Sequence, residues 1–282
     1  YPAPEGVRGD IPGLEYAGVV VATPDTSGVA PVGARVMGLV AGAAYAERLV
    51  APVDQLLPIP DGLAFEEAAA IPEAFLTAWD ALRQAGFDRG MTLLVHAAGS
   101  GVGTAALQLG RALGAARIFG TASAPKLAAL AERGLPLDVP IDYRSTDFAE
   151  VVARETDGRG VDVILELVGA AYWEADLASL APGGRVVVIG LLSGARAGTD
   201  LGTILRKRLR VIGTVMRTRP AEEKRELAAD FRRDVLPWFA DGTLAPVIDR
   251  VLPLAAAAEA HRAMEGDRNV GKIVLRVAPP AG

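Results

Sequence analysis

The chain has 282 residues, 51% of them hydrophobic, with a formal net charge of −5 and no cysteine. That length can bury a sizeable core and suits two domains, or one domain interrupted by another. The acidic balance argues against nucleic acid or an anionic membrane as partner, no apolar stretch is long enough to span a bilayer, and the absence of cysteine excludes disulfides and thiolate metal sites while fitting a cytoplasmic protein.

Residues 1–59 are rich in Gly, Pro and Val, and short runs at 17–21, 35–39, 46–50 and 55–59 predict strands with turns at Pro24-Asp25, Val32-Gly33 and Ala51-Pro52. From Glu66 the pattern turns helical, with Phe75, Leu76, Trp79 and Leu82 in a stripe interrupted near Pro72 and closed by Gly86. Residues 91–113, M-T-L-L-V-H-A-A-G-S-G-V-G-T-A-A-L-Q-L-G-R-A-L, predict a strand, a glycine-rich turn and a helix.

Strand and helix patterns then alternate, with strands at 118–119, 139–141, 161–167, 185–189 and 209–215 and helices at 126–133, 147–155 and 173–180. Nearly uninterrupted apolar strands of this kind predict a six-stranded parallel sheet covered on both faces, with ligand at the carboxyl ends of the strands. The sixth strand is expected at the sheet edge, where it could pair with a second copy to make a homodimer. A charged helix at 221–239, a strand at 245–252, a helix at 255–264 and a strand at 272–277 close the chain. These last two strands have no place in the six-stranded sheet and are expected to rejoin the N-terminal β unit. The expected fold is therefore α/β, a Rossmann doubly wound parallel sheet inserted into a β-rich domain, with parts at 1–71, 72–216 and 217–282.

The glycine turn is the first candidate site. Backbone N–H groups at a helix N-terminus, unobstructed by bulky side chains, suit the pyrophosphate of a dinucleotide. Aligned on Val102-Gly103, the G-x-G-x-x-G pattern becomes Ala98-Gly99-Ser100-Gly101-Val102-Gly103, small at each position where a backbone must approach phosphate. Proteins that prefer NAD usually carry an acid about 20 residues further on. Residues 115–126 contain none; instead Ser123, Lys126 and Tyr143, at neighbouring strand ends, supply a hydroxyl, an ammonium and a phenol suited to a 2′-phosphate. The expected cofactor is NADPH. Gly190 and Leu191, after the fifth strand of that sheet, lie where backbone groups could meet the nicotinamide amide.

At this point the residues carry a resemblance. The string L-V-H-A-A-G-S-G-V-G-T-A-A-L-Q-L, the I-P-G-L-E-Y-A-G at 11–18, the Tyr1-Pro2-Ala3-Pro4 opening and the N-V-G-K-I-V-L at 269–275 resemble the zinc-free quinone oxidoreductase branch of the medium-chain dehydrogenase/reductase superfamily, and within it the p53-inducible quinone oxidoreductase type. The resemblance implies a GroES-like catalytic domain interrupted by a Rossmann domain, NADPH in the cleft between them, and a dimer. It also implies roles for Tyr1 at the active site, Thr77 near the nicotinamide ribose, and Arg217 and Asn269 towards cofactor or acceptor. Zinc-dependent relatives have G-H-E where this chain has Gly13-Leu14-Glu15, and its two histidines, His96 and His261, have no partner at ligand spacing, so no metal is expected. Family members normally carry strands before the Tyr-Pro motif, including an N-R-x-D-like segment. The chain, opening on Tyr without a signal-peptide pattern, is expected to be processed or truncated and to expose strand edges.

The expected reaction is hydride transfer from NADPH to a quinone or α,β-unsaturated carbonyl, the protein supplying orientation and electrostatics. Two alternatives stand beside it: an enoyl-thioester reductase, and an NADPH-binding sensor or structural protein without turnover.

Overall fold

The computed structural model describes residues 10–24 and 30–277. Tyr1, part of the Pro24-Asp25 turn and the Tyr-Pro opening fall outside them. The described chain divides into two compact units, 1–77 with 215–282 and 78–214.

In the first unit, β1 (Glu15–Val19), β2 (Arg35–Leu39) and β3 (Leu57–Pro58) form an antiparallel sheet in that order. Residues 46–50, expected as a strand, do not form one. The Tyr45 N–H donates to Pro12 O and the Ala46 N–H to Ala44 O, and Ala43 has φ +62°, so the chain turns where an extended strand would have to continue. Next come α1 (Phe65–Ala69) and α2 (Pro72–Gln84), separated at the proline whose ring cannot follow a continuous helix. The second of these runs on into the other unit.

The second unit is built on β4 (Thr92–Val95), α3 (Gly101–Ala112), β5 (Arg117–Ala122), α4 (Ala124–Glu132), β6 (Val139–Asp142), α5 (Phe148–Glu155), β7 (Val161–Glu166), α6 (Trp173–Ser179), β8 (Leu180–Val188), α7 (Leu201–Lys207) and β9 (Arg210–Gly213). The six strands are all parallel in the order β6-β5-β4-β7-β8-β9, so the strand order reverses between β4 and β7 and β9 lies at an edge. Leu93, Leu94, Val95, Ile118, Phe119, Val163, Ile164, Leu165, Val186 and Val187 are fully buried, as befits strands covered on both faces. The close fit of α3 depends on Gly110, where a Cβ would stand 2.6 Å from Leu93 Cδ2.

Helix α7 is not among the expected elements. Asp200 caps it by accepting the Gly202 N–H at 2.8 Å, and Lys207 at its end donates to the carbonyls of Leu177, Ala178 and Leu180, the final carbonyls of α6 and its exit.

The chain returns to the first unit through α8 (Ala221–Asp234) and α9 (Pro237–Ala240). One helix was expected over 221–239; it breaks before Pro237, whose missing N–H and ring end α8 at Val235. Phe75, Phe231 and Phe239 stack there edge to face and tilted, at 4.8 and 6.4 Å. Then follow β10 (Ile248–Pro253), α10 (Ala257–Glu265) and β11 (Lys272–Arg276). These two strands do belong to the first unit, but they pair parallel with each other in a sheet of their own and do not extend the N-terminal one.

Gly271 enters β11 with φ +81°, and a Cβ on it would stand 2.1 Å from Val247 O, beside the bond from the Lys272 N–H to that oxygen. Gly271→Ala is expected to cost about 1–3 kcal/mol through strain and overpacking. Urea unfolding checks this, and an unchanged midpoint would contradict it.

Candidate functional site: a dinucleotide cradle over a buried ionisable cluster

The turn after β4 is closed tightly by its own backbone. Ala97 has φ +48°, the Ala98 N–H donates to Thr121 O on β5 at 2.9 Å, and the Ser100 N–H donates to Ala97 O at 2.8 Å. A Cβ on Gly103 would stand 2.4 Å from Ala97 O and 2.7 Å from Ala98 Cα, so α3 presses directly on the turn and only glycine fits. Ser100 caps α3, its Oγ accepting the Gly103 N–H at 3.0 Å. The N–H groups of Gly101 and Val102 have no acceptor among the described residues and stand at the positive end of the helix.

Ala122 pairs with Asp142, so Ser123 and Tyr143 leave adjacent strands at one level. Ser123 precedes α4 and is buried, yet its side chain makes no capping bond. One turn into α4, the stem of Lys126 covers Gly99, with Cδ and Cβ at 3.0 and 3.3 Å from where a Cβ there would lie. Tyr143 is 40% exposed, and the Arg144 guanidinium lies 5.8 Å from its ring centre. Arg144 is not among the expected site residues, although its place after a strand end beside Tyr143 is a usable signal in the sequence. On the other side of β4, the loops after β7 and β8 interleave. Gly190 N–H donates to Glu166 O, Ser193 N–H to Val168 O, and a Cβ on Gly190 would stand 2.7 Å from Leu167 O. Ser100 to Gly103, Ser123, Lys126, Tyr143, Gly190 and Leu191 thus share the carboxyl edge of one parallel sheet.

Thr77, Arg217 and Asn269 belong to the first unit, and Tyr1 lies outside the described residues. Thr77 is 6% exposed with its Oγ1 unpartnered among the described residues. Arg217 Nε donates to Ala41 O at 2.9 Å, and Asn269 Nδ2 donates to Gly271 O at 3.1 Å within its own turn.

Beneath the turn lies a cluster that linear spacing had hidden. His96 is fully buried, and its ring meets Thr121 Oγ1 at 2.9 Å through Nδ1 and Asp176 Oδ1 at 2.8 Å through Nε2, with Glu166 Oε2 at 3.7 Å. The expectation that His96 lacks partners is therefore corrected: they come from β7 and α6, 70 and 80 residues away. Glu166 Oε1 accepts the N–H groups of Val168 and Gly169. Burial pushes the Glu166 carboxyl up to about 8 and raises Asp176 as well, while it pushes the imidazole down to about 4. The available signals were a histidine and a glutamate closing apolar strands. His261 also has a partner, Tyr45 OH at 3.2 Å from its Nε2.

Residues 135–275 match the zinc-binding dehydrogenase family. The human synaptic vesicle membrane protein VAT-1 homolog is 33% identical over 286 residues, spanning 95% of this chain and 71% of that protein. Among solved structures, a Pseudomonas syringae quinone oxidoreductase is 35% identical with a TM-score of 0.80, covering 99% of this chain and 84% of its own. An NAD-dependent alcohol dehydrogenase is 33% identical with a TM-score of 0.82, over 95% and 83%. The chain belongs to the zinc-binding dehydrogenase family of the medium-chain dehydrogenase/reductase superfamily, consistent with its quinone oxidoreductase branch. It is an oxidoreductase with the Rossmann and catalytic-domain fold of that superfamily. Among the described residues, no helix is long and apolar enough to cross a membrane.

The first unit holds a second ionisable group. Glu15 Oε1 pairs with Lys272 Nζ, Glu15 Oε2 accepts the Glu73 N–H at 2.9 Å, and burial followed by the charge of Glu15 pushes the Glu73 carboxyl up to about 7. A raised carboxyl means that the native state keeps a proton the unfolded chain has released, so stability falls as pH rises from the ordinary value of 4.5 to about 7. Glu73→Gln is expected to flatten that slope and raise the melting temperature at pH 8. Thermal melts across pH 4.5–8 check this, and parallel profiles for the two proteins would contradict it.

Proposed function

We propose that the protein is an NADPH-dependent reductase that passes hydride to a quinone or an α,β-unsaturated carbonyl without a catalytic metal. The observation that carries this reading is the cradle itself. N–H groups at Gly101 and Val102 with no acceptor among the described residues, and a Gly103 that admits no side chain, stand beside the stem of Lys126, with no acid at the end of β5. Pyrophosphate oxygens fit the two N–H groups. The Lys126 ammonium, the Ser123 hydroxyl that makes no capping bond, Tyr143 and the neighbouring Arg144 fit a 2′-phosphate. By resemblance Thr77 is assigned to the nicotinamide ribose, and the backbone at Gly190 and Leu191 fits the carboxamide. Tyr1 remains assigned to the active site, and Arg217 and Asn269 to contact with cofactor or acceptor.

The residues at the position of the family's catalytic zinc do not fit a metal. Leu14 offers no donor atom, and both oxygens of Glu15 are engaged, one by Lys272 and one by the Glu73 N–H. No step is therefore routed through a metal. Bound NADPH supplies the hydride; the chain's residues hold the dinucleotide and orient the acceptor over it. The product oxygen is stabilised by hydrogen-bond donors and takes its proton from solvent or a neighbouring side chain. The edge of β9, with Val211 49% exposed, supports pairing with a second copy there.

Titration with NADPH and NADH, followed by a simple quinone, tests this reading. The expected result is NADPH-selective binding and quinone-dependent oxidation. Oxidation only with an enoyl thioester would move the assignment to the enoyl-reductase reading, and binding without oxidation would favour a cofactor-binding protein. Lys126→Ala is expected to weaken NADPH by about ten- to a hundredfold, the worth of a lost charge-assisted contact, with little change for NADH. Equal weakening of both would contradict the 2′-phosphate assignment.

A further inference from the structure

The most deeply buried ionisable groups of the second unit lie directly under the cradle, and hydride transfer does not use them. His96 follows β4, Glu166 ends β7 and Asp176 stands on α6, all at 0% exposure, and each reaches a segment that shapes the site. His96 immediately precedes the turn residue Ala97. Its Nδ1 contacts Thr121, whose carbonyl accepts the Ala98 N–H and which precedes Ala122-Ser123. Glu166 Oε1 accepts the N–H groups of Val168 and Gly169, and the carbonyl of Glu166 accepts those of Ile189 and Gly190. One cluster thus ties together the turn after β4, the end of β5 and the loops after β7 and β8.

The cluster has a charge problem. With a neutral imidazole, two ionised carboxylates would place two negative charges in a dry interior, away from the water that would stabilise them. Glu166 Oε2 and Asp176 Oδ2 are moreover buried without a hydrogen-bond partner among the described residues. A compensating cation or proton is needed. A metal does not suit the spacing, because Nε2 and Asp176 Oδ1 at 2.8 Å are at hydrogen-bond distance, closer than two ligands each about 2.0–2.2 Å from one tetrahedral ion. The rings of Phe148 and Tyr172 also close over His96 with centroids at 4.8 Å. A proton needs no extra room, and a carboxylic acid can donate to a facing carboxyl oxygen.

We propose that His96, Glu166 and Asp176 form a proton-holding cluster that positions the dinucleotide cradle, and that cofactor affinity falls when the carboxyl pair loses its protons. Among the described residues Tyr172, at the start of α6, is a further titratable group acting with the pair, and Tyr143 acts on Tyr172 in turn; from α5 Phe148 and from β5 Thr121 contact the imidazole. Burial pushes Tyr172 up to about 12, so it stays neutral across the working range. The pH window is set by burial of the two carboxyls, with the loss centred near pH 8. All three are positioning residues, and the inference rests on the turn being the cofactor cradle.

The experiment compares NADPH affinity and melting temperature of the wild type and Glu166→Gln from pH 6 to 9.5. Glutamine keeps the Oε1 acceptor for Val168 and Gly169 and supplies a permanent donor towards Asp176. Titration of the ligand itself is common to both proteins. The wild type is expected to lose about tenfold more affinity than Glu166→Gln between pH 7 and 9.5, the size of one lost contact, while the two match at pH 6. Parallel profiles would overturn the proposal. If Glu166→Gln does not fold, Asp176→Asn is read in the same way. Infrared spectra supply a second readout, taken in a Glu73→Gln background so that the raised Glu73 carboxyl does not contribute: a carboxylic-acid carbonyl band from the buried pair at pH 6 that disappears by pH 9.5. Absence of that band, or a stoichiometric metal released by chelation, would also overturn the proposal. Failure of the wild type to bind NADPH at any pH would instead sink the cradle reading, while the infrared band would still decide where the proton lies.

Discussion

The contact on which the second unit depends is that between the start of α3 and the turn after β4. At Gly103 the helix approaches so closely that a single methyl group would collide with the Ala97 carbonyl at 2.4 Å. The approach directs the first N–H groups of α3 outward at the carboxyl edge of the sheet, beside the reversal of strand order between β4 and β7. Much else follows from it. Ser100 must cap α3 with its side chain, Gly99 must be bare for the Lys126 stem to cross it, and the ends of β5 and β6 bring polar side chains to the same edge.

A site of small residues and backbone donors needs a firm floor. That floor is polar: His96, Thr121, Glu166 and Asp176 replace the apolar packing that fills the rest of the sheet, where Leu94, Phe119, Ile164 and Val186 form a continuous cluster. Hydrogen bonds fix direction as well as distance, whereas apolar contacts fix distance alone, so the loops after β4 and β7 are held in orientation. The corresponding cost is a buried charge that must be neutralised. The first unit uses a more exposed version of the same device, in which Lys272 offsets Glu15 beside Glu73.

Much of this was legible in the sequence because the signals are local. Apolar runs followed by helical stripes mark the six strands of the parallel sheet and the helices from α3 to α6, and the bare turn from Ala98 to Gly103 needs no partner to be recognised. Where tertiary contacts decide, the sequence was a poorer guide. Residues 46–50 look like a strand until the chain turns at Ala43, and the apolar stripe of 221–239 continues past Pro237 although the helix cannot. Helix α7 went unread because Gly202 and the exposed Leu201 and Leu205 weaken its pattern, despite the Asp200 cap. The floor of the cradle was invisible for a different reason: its acids come from β7 and α6, far from His96 in sequence, and only the winding of the sheet brings them to one imidazole.

The account's central claim is that the turn after β4 receives the diphosphate of a dinucleotide whose 2′-phosphate lies by Lys126. A crystal structure of the chain with NADPH bound tests it most directly. The account predicts pyrophosphate oxygens within hydrogen-bond distance of the Gly101 and Val102 N–H groups and the 2′-phosphate against Lys126 and Ser123. A dinucleotide bound away from this turn, or one whose adenosine ribose points away from Lys126, would contradict it.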